Sequence, residues 1–343
     1  MSHQPRDVII IGAGPVGLFA IFECGMMGLK CHVVDALDAV GGQCTALYPE
    51  KPIYDIPAYP KILAGELIEN LKKQADPFDP SYYLGQQVLK MKKNEETDLW
   101  QVETSLGEKL EAKTVLIAAG VGAFGPNRPP LENLEEFEDK SIFYYVKNRE
   151  EFRGKNIVIA GGGDSAVDWA LSLSEIAKKV SVVHRRPKFR AAPESESQLH
   201  TLAQKGIIDL VIPFQLEGLS GSAGKLEQVI VKSLDGERRE LQADCLLPFY
   251  GLAMDLGPIA HWGLQLNTTH IQIDPQDCST NIPGIFAIGD IAHYSHKLKL
   301  ILTGFAEAAQ AAHAIRAFVH PGEVYHFEYS TTSGVPAPVI DAA

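Results

Sequence analysis

The chain has 343 residues and a formal net charge of -12, with 45% hydrophobic and 22% charged residues. This composition predicts a globular protein of two domains, and its acidity argues against nucleic acid as a partner. No apolar run approaches the ~20 residues of a membrane helix, and the start MSHQPRD lacks a secretory apolar core, so we expect a cytoplasmic protein without a membrane partner. The five cysteines are a scattered set with no close pair, and no histidine pair has ligands near it, so neither disulfides nor a metal site is predicted.

A strand, a glycine-rich turn and a helix are predicted near the N-terminus from DVIIIGAGPVGLFA. An apolar run leads directly into Gly12, Gly14 and Gly17, whose flexibility lets backbone N–H groups approach a pyrophosphate at the start of the helix. This pattern alone is weak, and a glycine turn without a ligand competes with it. The next strand, CHVVDA, ends in Asp35, at the spacing where a carboxylate binds a ribose 2′-hydroxyl, which favours a dinucleotide site.

A second copy of this arrangement begins at NIVIAGGGDSAVDWALSL. Between the two copies, the strand TVLIAAG is followed by the linker GVGAFGPNRPP, in which glycine and proline mark a crossing into another domain. The second turn carries Gly161 and Gly163, and its predicted helix begins with Asp164 and Ser165. We assign these four residues to the cradle of a second nucleotide.

A basic cluster takes the place of the acid in the second copy. The strand VSVVHRR ends in His184, Arg185 and Arg186. His184 is as far from Gly161 in sequence as Asp35 is from Gly12. A carboxylate suits a free ribose hydroxyl, whereas guanidinium groups hold a 2′-phosphate. The first site is therefore predicted to take FAD or NAD and the second NADP, with Arg190 as a further phosphate ligand. A solvated basic turn is the competing interpretation.

The late segments predict a buried strand in IPGIFAIGDIA, ending in Gly289 and Asp290, and an amphipathic helix in TGFAEAAQAAHAIRAFV. Returning them to the first domain gives an α/β fold of two Rossmann-like dinucleotide-binding domains, the second inserted in the first. Two such sites in one chain suggest a flavoprotein in which NADPH passes a hydride to FAD. We expect residues 1–120 and 281–332 in the FAD-binding domain, 121–280 in the NADPH-binding domain, and 333–343 as a C-terminal tail.

The sequence resembles the two-dinucleotide-binding-domain flavoproteins and, within them, the thioredoxin-reductase-like (type 2) ferredoxin–NADP reductases. The resemblance covers Asp7 to Thr332 and rests on IIIGAGPVGL, GGQCTALYPEKPIYDIPAYP, VIAGGGDSAVDWAL, HRRPKFRA, FAIGD and EYSTTS. It implies one FAD per subunit, NADPH or NADP+ as co-substrate, and ferredoxin, or a flavodoxin in its place, as electron partner.

The resemblance also assigns residues to the flavin. It implies that Gln43 and Tyr48 lie along the flavin, with Tyr48 stacked on one ring face, and that Asp290 binds the ribityl chain. It places the backbone of Val88 against the adenine and Phe124 in the linker after the AAG strand. A packed loop tyrosine, a core valine and a linker aromatic are the structural alternatives.

Relatives with a redox-active cysteine pair differ from this chain. Cys44 stands where glutathione-reductase-like enzymes carry their first cysteine, but the partner position is Pro49, and SIFYYVKNREEFRGK lacks the C-x-x-C of thioredoxin reductases. The resemblance therefore implies direct transfer from FAD to ferredoxin, and hydride transfer by ring stacking without a catalytic acid or base. Lys297 and Lys299 of HKLKL are a candidate landing site for ferredoxin, with a solvated loop as the alternative.

The chain continues beyond its last predicted helix, and the resemblance implies that this tail covers the second face of the flavin. By resemblance, Tyr329 stacks there, with Ser330 and Thr331 near the polar ring edge, often from the other subunit of a homodimer; a frayed terminus is the alternative. Two other functions stay open from the sequence. One is an NADPH diaphorase that reduces a quinone or oxygen, and the other is a nucleotide-sensing flavoprotein without turnover.

Overall fold

A computed structural model describes residues 4–323 of the chain, with the backbone alone described at 123–125 and 252–254. The chain divides into two compact units. The first unit comprises the residues up to Ala123 and those from Met254 onward, and the second unit comprises Phe124–Ala253. The second unit is thus an insertion in the sequence of the first.

The described residues contain strands of very different length. The strands are β1 (Arg6–Ile11), β2 (Cys31–Val34), β3 (Pro52–Ile53), β4 (Ile62–Leu63), β5 (Ser81–Tyr83), β6 (Val88–Lys93), β7 (Trp100–Thr104), β8 (Lys109–Ile117), β9 (Ala123–Pro126), β10 (Asn156–Ala160), β11 (Lys179–Val183), β12 (Ile208–Val211), β13 (Phe214–Ser222), β14 (Lys225–Ser233), β15 (Arg238–Gln242), β16 (Cys245–Pro248), β17 (Leu252–Asp255), β18 (Leu266–Asn267), β19 (His270–Gln272), β20 (Ile285–Ala287) and β21 (Ala292–His293).

The helices are fewer and connect the strands. They are α1 (Pro15–Met26), α2 (Gln43–Ala46), α3 (Ala64–Ala75), α4 (Leu134–Phe137), α5 (Asp164–Leu173), α6 (Pro193–Gln204) and α7 (Ile301–Val319), with short 3₁₀ turns at Asp76–Phe78, Arg149–Phe152, Gly257–His261 and Gly289–Ile291. Among the helices of residues 4–323, none combines the length and apolarity that crossing a bilayer requires.

The first unit is built on a sheet in the order β5-β2-β1-β8-β7-β6, with β20 paired to β8. The strands β2, β1, β8 and β20 run parallel, and β6 and β7 continue the sheet antiparallel. Val8 and Ile10 of β1 pack on one side with α1 and α7, while Ile9 packs on the other side with Val102. Burial on both faces explains why β1 is a continuous apolar run and does not alternate.

The second unit has a parallel sheet in the order β12-β11-β10-β16 and a separate antiparallel sheet of β13, β14 and β15. The central strand β10 is followed directly by the second glycine turn and α5. Each unit therefore presents a strand–turn–helix at the carboxyl end of its central parallel strand, which is where open α/β sheets bind ligands.

The return to the first unit lies between Ala253 and Met254, well before residue 281 where the sequence placed it. Leu256, Ile259 and Leu264 follow the crossing and are buried in the core of the first unit. The sequence marks both places with glycine and proline, but only burial of these apolar residues tells which one is the crossing. The crossing strands themselves are β9 and β17, which pair with each other.

Candidate nucleotide-binding sites

The three glycines of the first turn have different surroundings. Gly12 has a φ of +110°, and a Cβ placed on it would lie 2.3 Å from the carbonyl oxygen of Ala118. A Cβ on Gly17 would lie 2.0 Å from the carbonyl oxygen of Gly12. Gly14, in contrast, has nothing within 4 Å of that position. Gly12 and Gly17 are therefore required by backbone packing, and the open space beside Gly14 is available to a ligand.

The start of α1 is open to an anion. Gly14 is the N-cap and supplies no side-chain cap, and the first turn of α1 contains no acidic residue. Since the first N–H groups of a helix have no partner within it and the helix dipole is positive there, this end favours a phosphate.

Asp35 holds the first turn together. Its Oδ2 accepts a hydrogen bond from the N–H of Ala13 at 2.6 Å, and its Oδ1 accepts one from the N–H of Leu37 at 2.8 Å. Burial raises the pKa of Asp35, and these two hydrogen bonds oppose the rise. Each carboxylate oxygen can accept more than one hydrogen bond, so a ribose hydroxyl can still bind here.

A second segment lies against the first turn. The N–H of Gly41 donates to the carbonyl of Ala13 at 2.8 Å, and a Cβ on Gly42 would lie 3.1 Å from the Cα of Gly14. The helix α2 begins directly afterwards with Gln43, which is half-buried. The segment that the resemblance places along the flavin therefore lies next to Gly14.

Tyr48, Cys44 and Asp290 form one electrostatic group. Burial raises the pKa of Tyr48, and the charges of Cys44 and Asp290 add to the rise. Burial likewise raises the pKa of Cys44 to about 11, while a hydrogen bond with Tyr48 opposes it. Asp290 follows β20, which pairs with β8 in the sheet of the first unit, so its interaction with Tyr48 joins residues that are far apart in sequence.

The turn after β20 rests on a buried ion pair. Gly289 has a φ of +72°, its N–H donates to Glu307 at 2.7 Å, and its carbonyl accepts from Lys297 at 2.8 Å. The side chains of Lys297 and Glu307 contact each other and are 5% and 2% exposed. The prediction that Lys297 is a surface landing site for ferredoxin is therefore wrong. Lys299 is exposed, with its Nζ 2.9 Å from Nε2 of His270.

The remaining residues assigned to the flavin divide into described and undescribed ones. Val88 begins β6 and is buried in the core beside Ile11 and Val34, close to the ends of β1 and β2. Its side chain is thus a core valine, and the contact of its backbone with adenine stays a prediction. The side chain of Phe124 lies outside the described residues. The same is true of the tail residues Tyr329, Ser330 and Thr331.

The second turn repeats the first in outline. A Cβ on Gly161 would lie 2.7 Å from the carbonyl oxygen of Phe249, whereas Gly163 has only the carbonyl of Arg190 nearby, at 3.9 Å. Gly163 is the N-cap of α5, without a side-chain cap. Asp164 and Ser165 begin the helix and are exposed.

Asp164 already has a partner within the protein. Its Oδ1 accepts a hydrogen bond from the N–H of Ala192 at 2.9 Å, which ties the start of α5 to the residue before α6. This contact gives Asp164 a structural role. Its carboxylate would also repel a phosphate placed at the start of α5. Its role as a nucleotide ligand stays a prediction, as does that of Ser165.

The ring of His184 packs against the second glycine turn. Its ring is buried, stacks on Phe189 at 5.1 Å, and lies 2.1 Å from the position that a Cβ on Gly162 would take. Burial lowers the pKa of His184, a hydrogen bond with the carbonyl of Lys188 opposes this, and the neighbouring arginines lower it further. A neutral imidazole offers no positive charge to a phosphate, so the structure adds a supporting role for His184, and its role as a nucleotide ligand stays a prediction.

The other basic residues of this turn face solvent. Arg185, Arg186, Lys188 and Arg190 are exposed. The N–H of Arg190 donates to the carbonyl of Gly162 at 2.6 Å, which anchors the basic loop to the glycine turn. Lys188 was not assigned from the sequence, although it stands within the same basic stretch. It adds a fourth cation at this edge.

Tyr250 is a further residue that sequence reasoning missed. It follows β16, and burial raises its pKa to about 12, with the charge of Arg185 opposing the rise. The side chain of Tyr250 is 40% exposed, and the charge of Arg185 acts on its hydroxyl group. No sequence signal singles out this tyrosine, because its closeness to the basic turn comes from the pairing of β16 with β10.

All five cysteines are free and buried. Cys24 and Cys31 are hydrogen-bonded to each other, a proximity that the sequence did not suggest; this bond and burial raise the pKa of Cys24. Burial also raises the pKa of Cys278 to about 12 and that of Cys245. All five sulfurs are therefore poorly accessible, and the raised pKa values of Cys24, Cys44, Cys245 and Cys278 favour the protonated thiol, unlike in a reactive dithiol. Across residues 4–323, no cluster of three or more histidines, cysteines or acids has a geometry that could hold a metal ion.

Comparison with known proteins agrees with this arrangement. The profile of the family described as pyridine nucleotide-disulphide oxidoreductase matches residues 6–315. The protein named ferredoxin–NADP reductase from Paramagnetospirillum magneticum is 60% identical over 336 residues, 98% of this chain and 99% of that protein. Its namesake from Rhodospirillum rubrum is 60% identical over 332 residues, 96% of each chain.

Solved structures show the same fold. The thioredoxin reductase of Lactococcus lactis has a TM-score of 0.79 and 26% identity, covering 92% of this chain and 99% of its own. That of T. acidophilum has a TM-score of 0.80 at 22% identity, with the same coverage, and supports the fold alone. The chain therefore belongs to the pyridine nucleotide-disulphide oxidoreductase family and, within it, to the family of the proteins named ferredoxin–NADP reductase.

Proposed function

We propose that this chain is a ferredoxin–NADP reductase, which binds FAD in its first unit and NADPH in its second. The observation that carries the proposal is the pair of matched glycine turns with an acid at one corner and exposed guanidinium groups at the other. The names of relatives at 60% identity over nearly the whole chain support ferredoxin as the partner.

The residues of the first unit fit FAD. The open space at Gly14, the uncapped start of α1 and the carboxylate of Asp35 match a pyrophosphate and a ribose. Tyr48 and Asp290 interact electrostatically and are the residues that would border the flavin end. Bound FAD accepts a hydride and releases electrons singly, which suits exchange between NADPH and an iron–sulfur protein.

The residues of the second unit fit NADPH. Gly163 leaves space for a pyrophosphate beside the start of α5, where Asp164 is bonded to the N–H of Ala192, and Arg185 and Arg186 are exposed where a 2′-phosphate would lie. His184 keeps the turn in shape without contributing charge, because it is buried and its pKa is lowered. The protein's part in hydride transfer is to position two rings, so we assign no acid or base to it.

The buried cysteines support direct transfer to the acceptor. Each thiol is buried, so none can exchange with an external disulfide as a redox-active dithiol does. Free, buried thiols also accord with a reducing compartment, and we keep a cytoplasmic location in the proposal. Flavodoxin in place of ferredoxin also remains part of the proposal.

A homodimer completes the proposal. The tail extends beyond α7 and contains Tyr329, Ser330 and Thr331, which by family resemblance cover the second flavin face, often from the partner subunit. Light scattering would measure the oligomeric state. A Tyr329→Ala variant would then test the tail, since loss of a stacked ring should change the flavin absorption spectrum.

The decisive experiment is anaerobic stopped-flow mixing of the yellow protein with NADPH and then with oxidised ferredoxin. We expect rapid bleaching followed by reoxidation upon ferredoxin addition, with iodoacetamide-treated protein behaving in the same way. Equal rates with ferredoxin, quinone and oxygen would favour a diaphorase. A flavin that stays oxidised for minutes with NADPH would favour a nucleotide sensor.

A further inference from the structure

A buried pair of opposite charges lies behind the Gly289–Asp290 turn. The side chains of Lys297 and Glu307 contact each other and are 5% and 2% exposed. Glu307 lies on the buried face of α7, beside the fully buried Ala308 and Ala311. Burying two charges costs about as much as their attraction returns, and apolar residues of similar size often give equal or greater stability. Stability alone therefore does not account for this pair.

The pair holds both backbone groups of a single residue. Glu307 accepts a hydrogen bond from the N–H of Gly289 at 2.7 Å, and Lys297 donates one to the carbonyl of Gly289 at 2.8 Å. The other oxygen of Glu307 accepts from the hydroxyl of Tyr294 at 3.0 Å. Glu307 thus accepts from the N–H of Gly289 and Lys297 donates to its carbonyl oxygen. Together these two bonds fix the orientation of the peptide groups before and after Gly289.

This orientation is not imposed by the sheet. Gly289 lies just beyond β20 and has a φ of +72°, a conformation outside the extended range of a strand. Asp290 is the next residue, so the direction of its side chain depends on how Gly289 is held. An unsupported glycine would be free to adopt other conformations.

The same turn also packs against the start of α1. A Cβ on Gly289 would lie 3.4 Å from Val16, and a Cβ on Gly304 of α7 would lie 2.4 Å from Val16. Val16 follows the N-cap Gly14 by two residues. The pair on α7 and its preceding loop therefore holds Asp290 in a defined place relative to the first glycine turn.

We propose that Lys297 and Glu307 are positioning residues, which hold Gly289 so that Asp290 is presented to the flavin end of bound FAD. This inference rests on the proposed FAD site in the first unit. The pair acts through the backbone of Gly289 and not by contact with the cofactor. Removing Lys297 should therefore weaken FAD binding only as long as Asp290 is there to be positioned.

A double-mutant cycle on FAD affinity tests this dependence. Apoprotein is prepared from wild type, Lys297→Met, Asp290→Asn and the double variant, and FAD dissociation constants are measured by flavin fluorescence. We expect Lys297→Met to weaken FAD binding about tenfold in the wild-type background and less than about threefold when Asp290 is already replaced. Additive effects of the two substitutions would overturn the proposal.

A matched control uses a lysine with a surface ion pair. Lys72 is exposed on α3 and pairs with Asp76 at 2.8 Å. Lys72→Met should leave the FAD dissociation constant unchanged in both backgrounds. A weakening equal to that of Lys297→Met would show a general effect of losing a lysine and would overturn the assignment.

A second variant guards against misfolding, since Lys297→Met leaves Glu307 buried and unpaired. Lys297→Met with Glu307→Gln contains no charge at this position, and the amide oxygen still accepts from Gly289. We expect this variant to retain the apoprotein unfolding midpoint, to bind FAD more weakly, and to shift the flavin midpoint potential and absorption maximum. An unchanged potential, spectrum and affinity in this folded variant would overturn the proposal.

The outcomes separate this inference from the proposed function. Wild-type protein that binds FAD and reduces ferredoxin, combined with an additive cycle, overturns only the positioning role. Asp290→Asn with wild-type affinity for FAD overturns the role of Asp290 and the positioning inference with it. Wild-type apoprotein that takes up no FAD overturns the proposed function as well.

Discussion

The two glycine turns share a backbone plan but are stabilised in different ways. In the first unit, Asp35 at the end of β2 accepts a hydrogen bond from the N–H of Ala13, the middle residue of its turn. In the second unit, His184 occupies the corresponding place after β11, and its ring lies directly under Gly162, again the middle residue. The corner residue therefore contacts the same part of the turn in both units.

In the first unit one residue both supports the turn and carries the charge, whereas in the second unit different residues do so. A short carboxylate can bond the turn and still accept a ribose hydroxyl, so Asp35 serves both purposes. In the second unit the ring of His184 supports the turn, and the cations that suit a 2′-phosphate are the exposed residues that follow it. A corner that recognises a phosphate thus needs more residues than one that recognises a hydroxyl.

The largest expected effect comes from the glycines of the first turn. Gly12→Ala should lower the free energy of unfolding by about 3 kcal/mol or more, because its Cβ would meet the backbone of Ala118 at a left-handed φ. The variant should be isolated with little or no flavin. Thermal unfolding and the ratio of flavin to protein absorbance measure both effects.

Gly14→Ala is the matched control for that substitution. Nothing lies within 4 Å of the added methyl group, so the apoprotein should unfold at the wild-type midpoint. FAD binding should nevertheless weaken at least about tenfold, since the methyl group would take space that the pyrophosphate needs. Wild-type affinity for FAD in this variant would show that the pyrophosphate does not lie beside Gly14.

The second expected effect tests the charge of the second corner. Arg185→Gln with Arg186→Gln should raise the KM for NADPH about 100-fold, roughly tenfold for each charged hydrogen bond lost, and leave the KM for NADH nearly unchanged. Steady-state kinetics with both nucleotides measure this split. Arg153→Gln is the control, because Arg153 is exposed and precedes the start of β10, whereas the basic turn follows the end of β11. Equal losses with NADH and NADPH would contradict a 2′-phosphate site.

The third expected effect tests the support of the second turn by a ring. Gly162→Ala should lower the unfolding free energy by about 1–3 kcal/mol, since its methyl group would overlap the ring of His184. Combining it with His184→Ala removes the overlap, so the double variant should be more stable than the sum of the single changes predicts. Thermal unfolding of all four proteins measures the coupling. Strict additivity would show that His184 does not restrict position 162.

The smallest expected effect is a loss of stability between pH 7.0 and 5.5 that comes from the second corner. Because the folded pKa of His184 is lowered from its ordinary value near 6.5, its contribution to stability is complete above about pH 6.5. Below that pH the unfolded chain takes up the proton first, so stability falls until the folded pKa is passed. Between pH 7.0 and 5.5 the wild type should lose about 2 °C more in its unfolding midpoint than His184→Phe, which keeps a ring at this position. Equal losses would argue against a neutral buried imidazole.

Local patterns predicted the two turns, because a strand that is buried on both faces and a following glycine turn leave a clear signal in consecutive residues. Gly12, Asp35, Gly161 and the arginines were assigned in this way. The local pattern did not show the supporting role of His184, since a histidine beside arginines suggests a charged group, whereas the ring is buried against Phe189 and burial lowers its pKa. Lys297 was misplaced for the same reason, because its partner Glu307 lies on another element.

The sequence by itself determined the number of nucleotide turns, the sign of the charge at each corner and the absence of a dithiol motif, since each depends on residues near one another in the chain. Tertiary structure alone decided that the charge of Asp290 acts on Tyr48, that Cys24 interacts with Cys31, that the return crossing lies at Met254, and that a lysine in a loop is buried. These features depend on which strands pair and which helix faces are covered. Strand pairing and burial depend on the free energy of contacts between distant segments, so no short segment of sequence determines them.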